Sequence, residues 1–364
     1  MTDVNSSLPP GFTLDHYWIE SVLGQGGNGL TYRAVDQRGG QKVVIKEHFP
    51  SDQVGRVGTE VRPLSVEADQ AFRLSLTFFL KEAQTLSRFN QANIVPIINF
   101  FQAQGTAYFV MPFLEGMTLA DLVALSPQGR QTEKEVWLWL SPILAGLKAI
   151  HSKGILHRDL TPSNIFIQTD SNPVLIDFGS AGNILAGEKG NFFLTPGFAP
   201  PEQYEKTADA QGPWTDIYSL GAVLFFCLTG FEPPKSVDRL LRITSGQPDP
   251  LAAFFADLIT SCNPQLIWTI QRSLEPTIQD RIQGVAEMEA RLKTLSPAAR
   301  PAPPAKGGTI LVKAAQSRPR LNLTGYWLEL VSFFRDIKSF LFKDKTSIVI
   351  FIVLIILIAF LIYS

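Results

Sequence analysis

Residues 157–164 read His-Arg-Asp-Leu-Thr-Pro-Ser-Asn, and Asp177-Phe178-Gly179 follows thirteen residues after Asn164. No other feature constrains the chain as strongly. The pairing supplies one carboxylate that can orient an attacking hydroxyl and two oxygen ligands for Mg²⁺, on loops close in sequence. Asp-Phe-Gly alone carries little weight. The weight comes from what precedes and follows it, in order.

Upstream, Tyr17-Trp18-Ile19-Glu20-Ser21-Val22-Leu23 alternates like a strand and runs into Gly24-Gln25-Gly26-Gly27-Asn28-Gly29. A second strand-like run, Leu30-Thr31-Tyr32-Arg33-Ala34-Val35, follows at once. Glycines at 24, 26 and 29 let backbone N–H groups approach phosphate oxygens without a Cβ in the way, although a tight hairpin turn would use the same residues. A third strand, Lys42-Val43-Val44-Ile45-Lys46, ends on a lysine. Alone, Lys46 reads as a solvated strand end. After a glycine-rich hairpin it reads as the cation beside the α- and β-phosphates. Phe79-Leu80-Lys81-Glu82-Ala83-Gln84-Thr85-Leu86 then reads as helix, with Glu82 able to pair with Lys46 and Leu86 one turn on along the same face.

Together these residues resemble the protein kinase family, and more narrowly its bacterial, eukaryotic-like Ser/Thr branch. The narrower resemblance rests on Leu8-Pro9-Pro10-Gly11, on Gly26-Gly27 with Thr31-Tyr32, on Ile45-Lys46-Glu47-His48-Phe49-Pro50 and on Pro200-Pro201-Glu202-Gln203-Tyr204. It implies an α+β, two-lobed fold: a small antiparallel β-rich N-lobe with one main helix, and a larger, mostly helical C-lobe. By position, Leu23 and residues 24–31 (Gly24, Gln25, Gly26, Gly27, Asn28, Gly29, Leu30 and Thr31) would cover the phosphates of ATP. Lys46 would bind phosphate with Glu82 as its ion-pair partner. Asp159 would be the catalytic base, and Asn164 and Asp177 the Mg²⁺ ligands. Met111 falls at the gatekeeper, with the hinge, including Phe113, at residues 112–114. Glu202 would meet Arg281 in a buried pair, and Asp216 would hold the catalytic-loop backbone. On local sequence alone, Asp216 reads as the N-cap of the apolar helix after it.

Four departures from the family pattern stand out. Asn28 replaces the usual aromatic at the loop tip. Thr31 and Val44 stand where Val and Ala commonly flank adenine. Residues 50–71 form an insert before Glu82, expected as a surface elaboration. Most consequentially, Thr161 replaces the lysine that neutralises the transferred phosphoryl group, and Ser163 is not the arginine that tyrosine kinases use; Lys189 and Lys206 are candidate substitutes. Between Gly179 and Thr195, Ser180 is the sole hydroxyl residue, so activation should not need a phosphate in mid-loop, and Phe192-Phe193 would order the segment by packing.

The balance of 32 basic and 33 acidic residues gives no sign of nucleic-acid binding. Two cysteines suggest a reducing compartment, with Cys227 an inert core residue. The expected organisation is a kinase domain at 12–295, divided near 113/114, then a Pro/Ala-rich basic linker at 296–320. An amphipathic juxtamembrane segment follows at 321–345, against protein or a membrane interface. Residues 348–363 carry no charge and span roughly 24 Å as helix, so 347–363 reads as a transmembrane helix. Lys343 and Lys345 on its N-terminal flank favour a single-pass anchor in the cell membrane with the kinase domain in the cytoplasm. The function expected is transfer of the ATP γ-phosphoryl group to Ser/Thr hydroxyls of proteins, with the bilayer as a second partner and a homodimer through the C-terminal segments as a third. The alternative is a catalytically weak, nucleotide-binding pseudokinase adaptor at the membrane.

Overall fold

The computed structural model describes residues 6–26, 29–183, 194–205 and 210–293. Strands β1 (Thr13–Leu14), β2 (Tyr17–Gly26), β3 (Gly29–Asp36) and β4 (Lys42–His48) continue through the hairpin β5 (Val54–Val57) and β6 (Glu60–Pro63) into helix α1 (Val66–Leu86). Strands β7 (Asn99–Ala103) and β8 (Thr106–Pro112) complete an antiparallel sheet in the order β1-β2-β3-β4-β8-β7. Period-two alternation buries Leu30, Tyr32 and Ala34 on β3 and Val43, Ile45 and Glu47 on β4. Thr31, Arg33, Val44 and Lys46 lie on the opposite face.

The insert is not the surface elaboration its sequence suggests. Val54 and Val61 of the β5–β6 hairpin are buried in one cluster with Leu8, Tyr32, Ile45 and Tyr108, covering the sheet's outer face. The rest of the insert begins α1, which starts at Val66 and so is much longer than the expected Phe79-to-Leu86 run. Ser65 caps it by accepting from the Ala68 N–H, and Glu67 and Asp69 in the first turn suit the positive end of the helix dipole.

Beyond the hinge come β9 (Gly116–Thr118), α2 (Leu119–Leu125) and α3 (Glu133–His151), the last opened by a capping box between Thr132 and Glu135. Strands β10 (Ile155–Leu156), β11 (Ile165–Gln168), β12 (Pro173–Leu175) and β13 (Gly182–Asn183) carry the two motif loops. Helices α4 (Pro201–Tyr204), α5 (Pro213–Thr229), α6 (Ser236–Thr244), α7 (Ala252–Ser261), α8 (Pro264–Ser273) and α9 (Val285–Lys293) build the C-lobe. Helix α5 is apolar on every side because it runs through the centre of that lobe, with Ile217, Leu220, Val223 and Leu224 buried together. It ends at Gly230, whose φ of 77° is the left-handed conformation a helix stop requires. Cys227 is buried there as expected, and burial pushes its thiol pKa up. The helix N-cap is Gly212, so Asp216 lies inside the first turn instead of capping it.

The linker, the amphipathic segment and the transmembrane helix expected from 296 onward lie outside the described residues. Among the described residues, no helix is long and apolar enough to cross a membrane.

Candidate active site

The thirteen-residue spacing between Asn164 and Asp177 has a plain structural cause. Strands β11 and β12 form an antiparallel hairpin pairing Ile165 with Leu175, so both residues emerge at the same end. The Ile176 N–H donates to the Asn164 carbonyl at 2.9 Å and ties the two loops together. Both donor positions of the Asn164 amide go to Asp159, to its backbone oxygen at 2.8 Å and to Oδ2 at 3.0 Å. That leaves Asn164 Oδ1 as its acceptor end, the right atom type for a hard cation. Asp177 has a φ of 57°, in the left-handed region that non-glycine residues seldom occupy. Oxygen donors from Asn164 and Asp177 therefore fit a Mg²⁺ ligand set.

Lys46 does not pair with Glu82 as expected. Its Nζ donates to Asp177 Oδ1 at 2.5 Å, and the Gly179 N–H donates to the same oxygen at 3.2 Å. Glu82 nevertheless shares the pocket. A Cβ built on Gly179 would lie 3.8 Å from Lys46 Nζ and 4.0 Å from Glu82 Oε2. The Phe178 backbone favours the ionised Glu82 carboxylate, but Glu82 Oε1 is buried with no hydrogen-bond partner among the described residues. Two carboxylates compete for one ammonium, and Asp177 holds it here. Burial would raise the Asp177 pKa, but Lys46 outweighs it and the net shift is downward. Lys46 moves upward because the charges of Asp177 and Glu82 overcome its desolvation.

Glu82 is pushed up to about 7, first by burial and then by the negative charge of Asp177, against the opposing pull of Lys46. Between its ordinary 4.5 and about 7, the folded chain keeps a proton that the unfolded chain has lost. This group therefore subtracts stability as pH rises through that window. Glu82→Gln cannot ionise. The melting temperature of Glu82→Gln relative to wild type should climb from pH 4.5 to 7 and level off above; a flat or falling difference counts against the assignment.

Asp159 accepts from Thr195 Oγ1 at 2.7 Å, and its pKa is raised by burial despite that bond. The sequence motifs assign Thr195 no part in the site. The signal available was a threonine just upstream of Pro200-Pro201-Glu202. Thr161 is buried at the start of the 3₁₀ turn Pro162–Asn164, and its carbonyl accepts the Asn164 N–H at 3.0 Å. Lys189 and Lys206, weighed as replacements for the missing lysine, lie outside the described residues, as do Phe192 and Phe193.

The loop is held from below by Asp216. Its Oδ2 accepts from the His157 N–H at 2.9 Å and lies 2.7 Å from His151 Nε2, and its Oδ1 accepts from the Arg158 N–H at 2.8 Å. Burial opposes ionisation of Asp216, yet these partners lower its pKa. Arg158 has a φ of 65°, and Gln203 Nε2 donates to its carbonyl at 2.7 Å. His151 and Gln203 were not foreseen; neither has a local signal beyond its place in a helix. Glu202 meets Arg281 as expected, with Nη1 to Oε1 at 2.6 Å and Nη2 to Oε2 at 3.1 Å.

Opposite this cluster, Gly24 pairs with Thr31 and Gly26 with Gly29 across the β2–β3 hairpin. Among the described residues, a Cβ on Gly24 or Gly26 would meet nothing within 4 Å, so none of them requires the bareness, and the space suits a phosphate chain. Gly29 differs, because a Cβ there would lie 2.5 Å from the Glu47 carbonyl. Leu23 is exposed, Gln25 opposes Leu30, and Leu30 is fully buried in the N-lobe core, offering a ligand only backbone. Gly27 and Asn28 lie outside the described residues. Met111 packs beside Phe79, Ala83 and Phe109. The Phe113 N–H donates to the Lys42 carbonyl at 3.2 Å and its ring lies 5.1 Å from the Arg33 guanidinium, placing Phe113 at the rim.

A glycine-edged cleft with a lysine, an Asp-Asn pair and an Asp-Phe-Gly turn, seated between a β-rich lobe and a helical lobe, defines the two-lobed phosphotransferase architecture. Residues 17–289 match the protein kinase domain, and the chain belongs to that family. It is 32% identical over 228 residues to serine/threonine-protein kinase D of a Synechocystis strain, covering 59% of this chain and 41% of that one. Against serine/threonine-protein kinase PknL of Mycobacterium bovis the figures are 28% over 284 residues, 77% of this chain and 65% of the relative. The chain thus spans about two fifths of the first of these relatives and just under two thirds of the second. Among solved structures, the apo form of PpkA-294 superposes with a TM-score of 0.68 at 34% identity, covering 79% of this chain and all of that one. The PknI kinase domain of Mycobacterium tuberculosis, 22% identical with a TM-score of 0.57, shares the fold.

Proposed function

We propose that this chain is an active serine/threonine protein kinase that moves the γ-phosphoryl group of ATP to protein hydroxyls. The observation that carries the reading is the hydrogen-bonded set Thr195–Asp159–Asn164 beside Lys46–Asp177, all in one cleft. Asp159 Oδ1 already accepts a hydroxyl hydrogen from Thr195, the interaction a substrate hydroxyl would need. Lys46 would fix phosphate oxygens, and Asn164 and Asp177 would hold Mg²⁺ when it binds. Bound Mg²⁺ would neutralise charge on the phosphates; the residues themselves position and orient. The serine/threonine kinase names of the relatives support the substrate class. The adaptor alternative rests on Thr161 and Asn28 alone. Asp159→Asn separates the two readings: a kinase loses transfer while still binding ATP, whereas an adaptor shows the same baseline before and after the change.

The same proposal places the chain at the cell membrane, held by the apolar run 348–363 with its basic N-terminal flank facing the cytoplasm. Full-length protein should sediment with membranes and resist high salt and alkaline carbonate, whereas protein ending at Lys345 should be soluble. Release of the full chain by salt alone would reduce the tail to a peripheral contact. Activity surviving the truncation would make the anchor a localising device, and lost activity would implicate it in pairing two copies.

A further inference from the structure

The residue after the phosphate-binding lysine is a fully buried acid. Alternation along β4 sends Lys46 and His48 to one face and Glu47 to the other, where its carboxylate is 0% exposed. Glu47 Oε1 accepts from Tyr108 Oη at 2.6 Å, and Oε2 accepts from Tyr32 Oη and from Arg56 Nη2, both at 2.6 Å. One carboxylate thereby ties β4 to β3, to β8 and to the β5–β6 hairpin. Tyr32 Oη in turn accepts the Leu8 N–H at 3.0 Å, while Arg56 donates from Nε to the Ser6 carbonyl at 2.7 Å and from Nη1 to the Thr59 carbonyl at 2.8 Å. The guanidinium also lies 5.1 Å from the Phe49 ring.

This arrangement is more elaborate than anchoring a surface hairpin requires. A buried ion pair contributes little net stability compared with apolar packing of the same volume, so its retention calls for another reason. The network surrounds the strand end that carries Lys46. The hairpin it secures is also pinned by the Val61 N–H to the Gln104 carbonyl at 2.8 Å, and it leads through Ser65 directly into α1, the helix bearing Glu82. On the Lys46 face, His48 Nε2 lies 2.9 Å from Ser75 Oγ of α1, and its ring sits 5.5 Å from Phe72 and 5.1 Å from Phe79. Burial first and Lys46 second push His48 down to about 4, so this second link stays neutral at ordinary pH.

We propose that Glu47, with Arg56, is a positioning residue for Lys46 and α1. The buried pair fixes β4 at the lysine and fastens the hairpin from which the glutamate-bearing helix begins. Lys46 and the start of the glutamate-bearing helix are thereby held from the N-lobe side, while Asp177 holds the ammonium from the other. The inference rests on the kinase reading for its meaning but not for its test.

Removing one partner would leave a buried charge and strongly destabilise the lobe, so the informative variant is the double, Glu47→Gln with Arg56→Met, which leaves no uncompensated charge. Its melting temperature is compared with wild type, and its affinity for Mg-ATP is measured by titration calorimetry on the full chain in detergent. That affinity is readable whether or not the chain transfers phosphate, so failure of the kinase reading shows separately, as absent transfer by wild type. The expected result is wild-type-like melting with Mg-ATP bound at least tenfold more weakly and a similar drop in kcat/KM for ATP. A purely structural role would leave both constants within twofold in the folded double variant, and that result overturns the proposal. If the double variant does not fold, Tyr108→Phe and Tyr32→Phe each remove one hydrogen bond to Glu47 at nearly unchanged volume. Each should weaken Mg-ATP binding severalfold, and together they should exceed either alone. Unchanged binding in the folded tyrosine variants overturns the proposal equally.

Discussion

Arg281→Met should destabilise the protein by about 3–5 kcal/mol, the usual penalty for breaking a buried ion pair from one side. Arg281 and Glu202 side chains are 0% and 3% exposed. The guanidinium also donates to the carbonyls of Glu275, Trp214 and Pro276, and it lies 5.0 Å from the Tyr218 ring. Methionine can fill much of the space and keep the contact with Tyr218. It cannot compensate the Glu202 carboxylate, which among the described residues would be left with only the Thr215 hydroxyl at 3.1 Å. Adding Glu202→Gln removes the stranded charge, so the double variant should recover a large part of the loss. Denaturant unfolding of the three variants measures this. A single variant within ~1 kcal/mol of wild type would contradict the account, since that is an ordinary substitution effect.

Lys46→Ala and Asp177→Asn should each reduce phosphoryl transfer by two to three orders of magnitude, the scale of losing one preorganised charge at a transition state. Neither should unfold the domain. The side chains are 20% and 45% exposed, so their ion pair is partly screened and its loss matters little for stability. Because the two touch, their effects should not multiply; the double variant should be only modestly slower than the worse single one. Asp177→Asn should also weaken Mg²⁺-dependent ATP binding. Wild-type autophosphorylation in either single variant would remove the assignment.

The parts of this molecule legible from sequence were those where chemistry demands a residue type at a fixed offset. Asp216 beneath the catalytic loop and Arg281 against Glu202 lie where the ordered motifs implied, because each satisfies buried polar groups of its partner. The thirteen-residue offset between Asn164 and Asp177 was equally readable, though the hairpin that produces it was not. The Lys46–Glu82 pair was not, because motif order names both carboxylates near the ammonium but not which one wins. That outcome depends on the left-handed turn at Asp177, which brings its Oδ1 onto the ammonium with the Gly179 N–H beside it. The insert was misjudged for a different reason. Its apolar residues are few and spaced by charges, and only the structure shows Arg56 folded inward onto Glu47, which turns a polar-looking stretch into core. The roles of Thr195 and Gln203 leave no periodic signal in the sequence, because each acts through one long-range hydrogen bond.

The central claim is tested most directly by incubating the full chain in detergent micelles with labelled Mg-ATP and a general protein substrate, then hydrolysing the product for phosphoamino acids. The account predicts phosphoserine and phosphothreonine, no phosphotyrosine, and a rate that collapses in Asp159→Asn while that variant still binds ATP. Label incorporation by wild type no higher than by Asp159→Asn, with ATP bound equally by both, would contradict it and leave a nucleotide-binding adaptor.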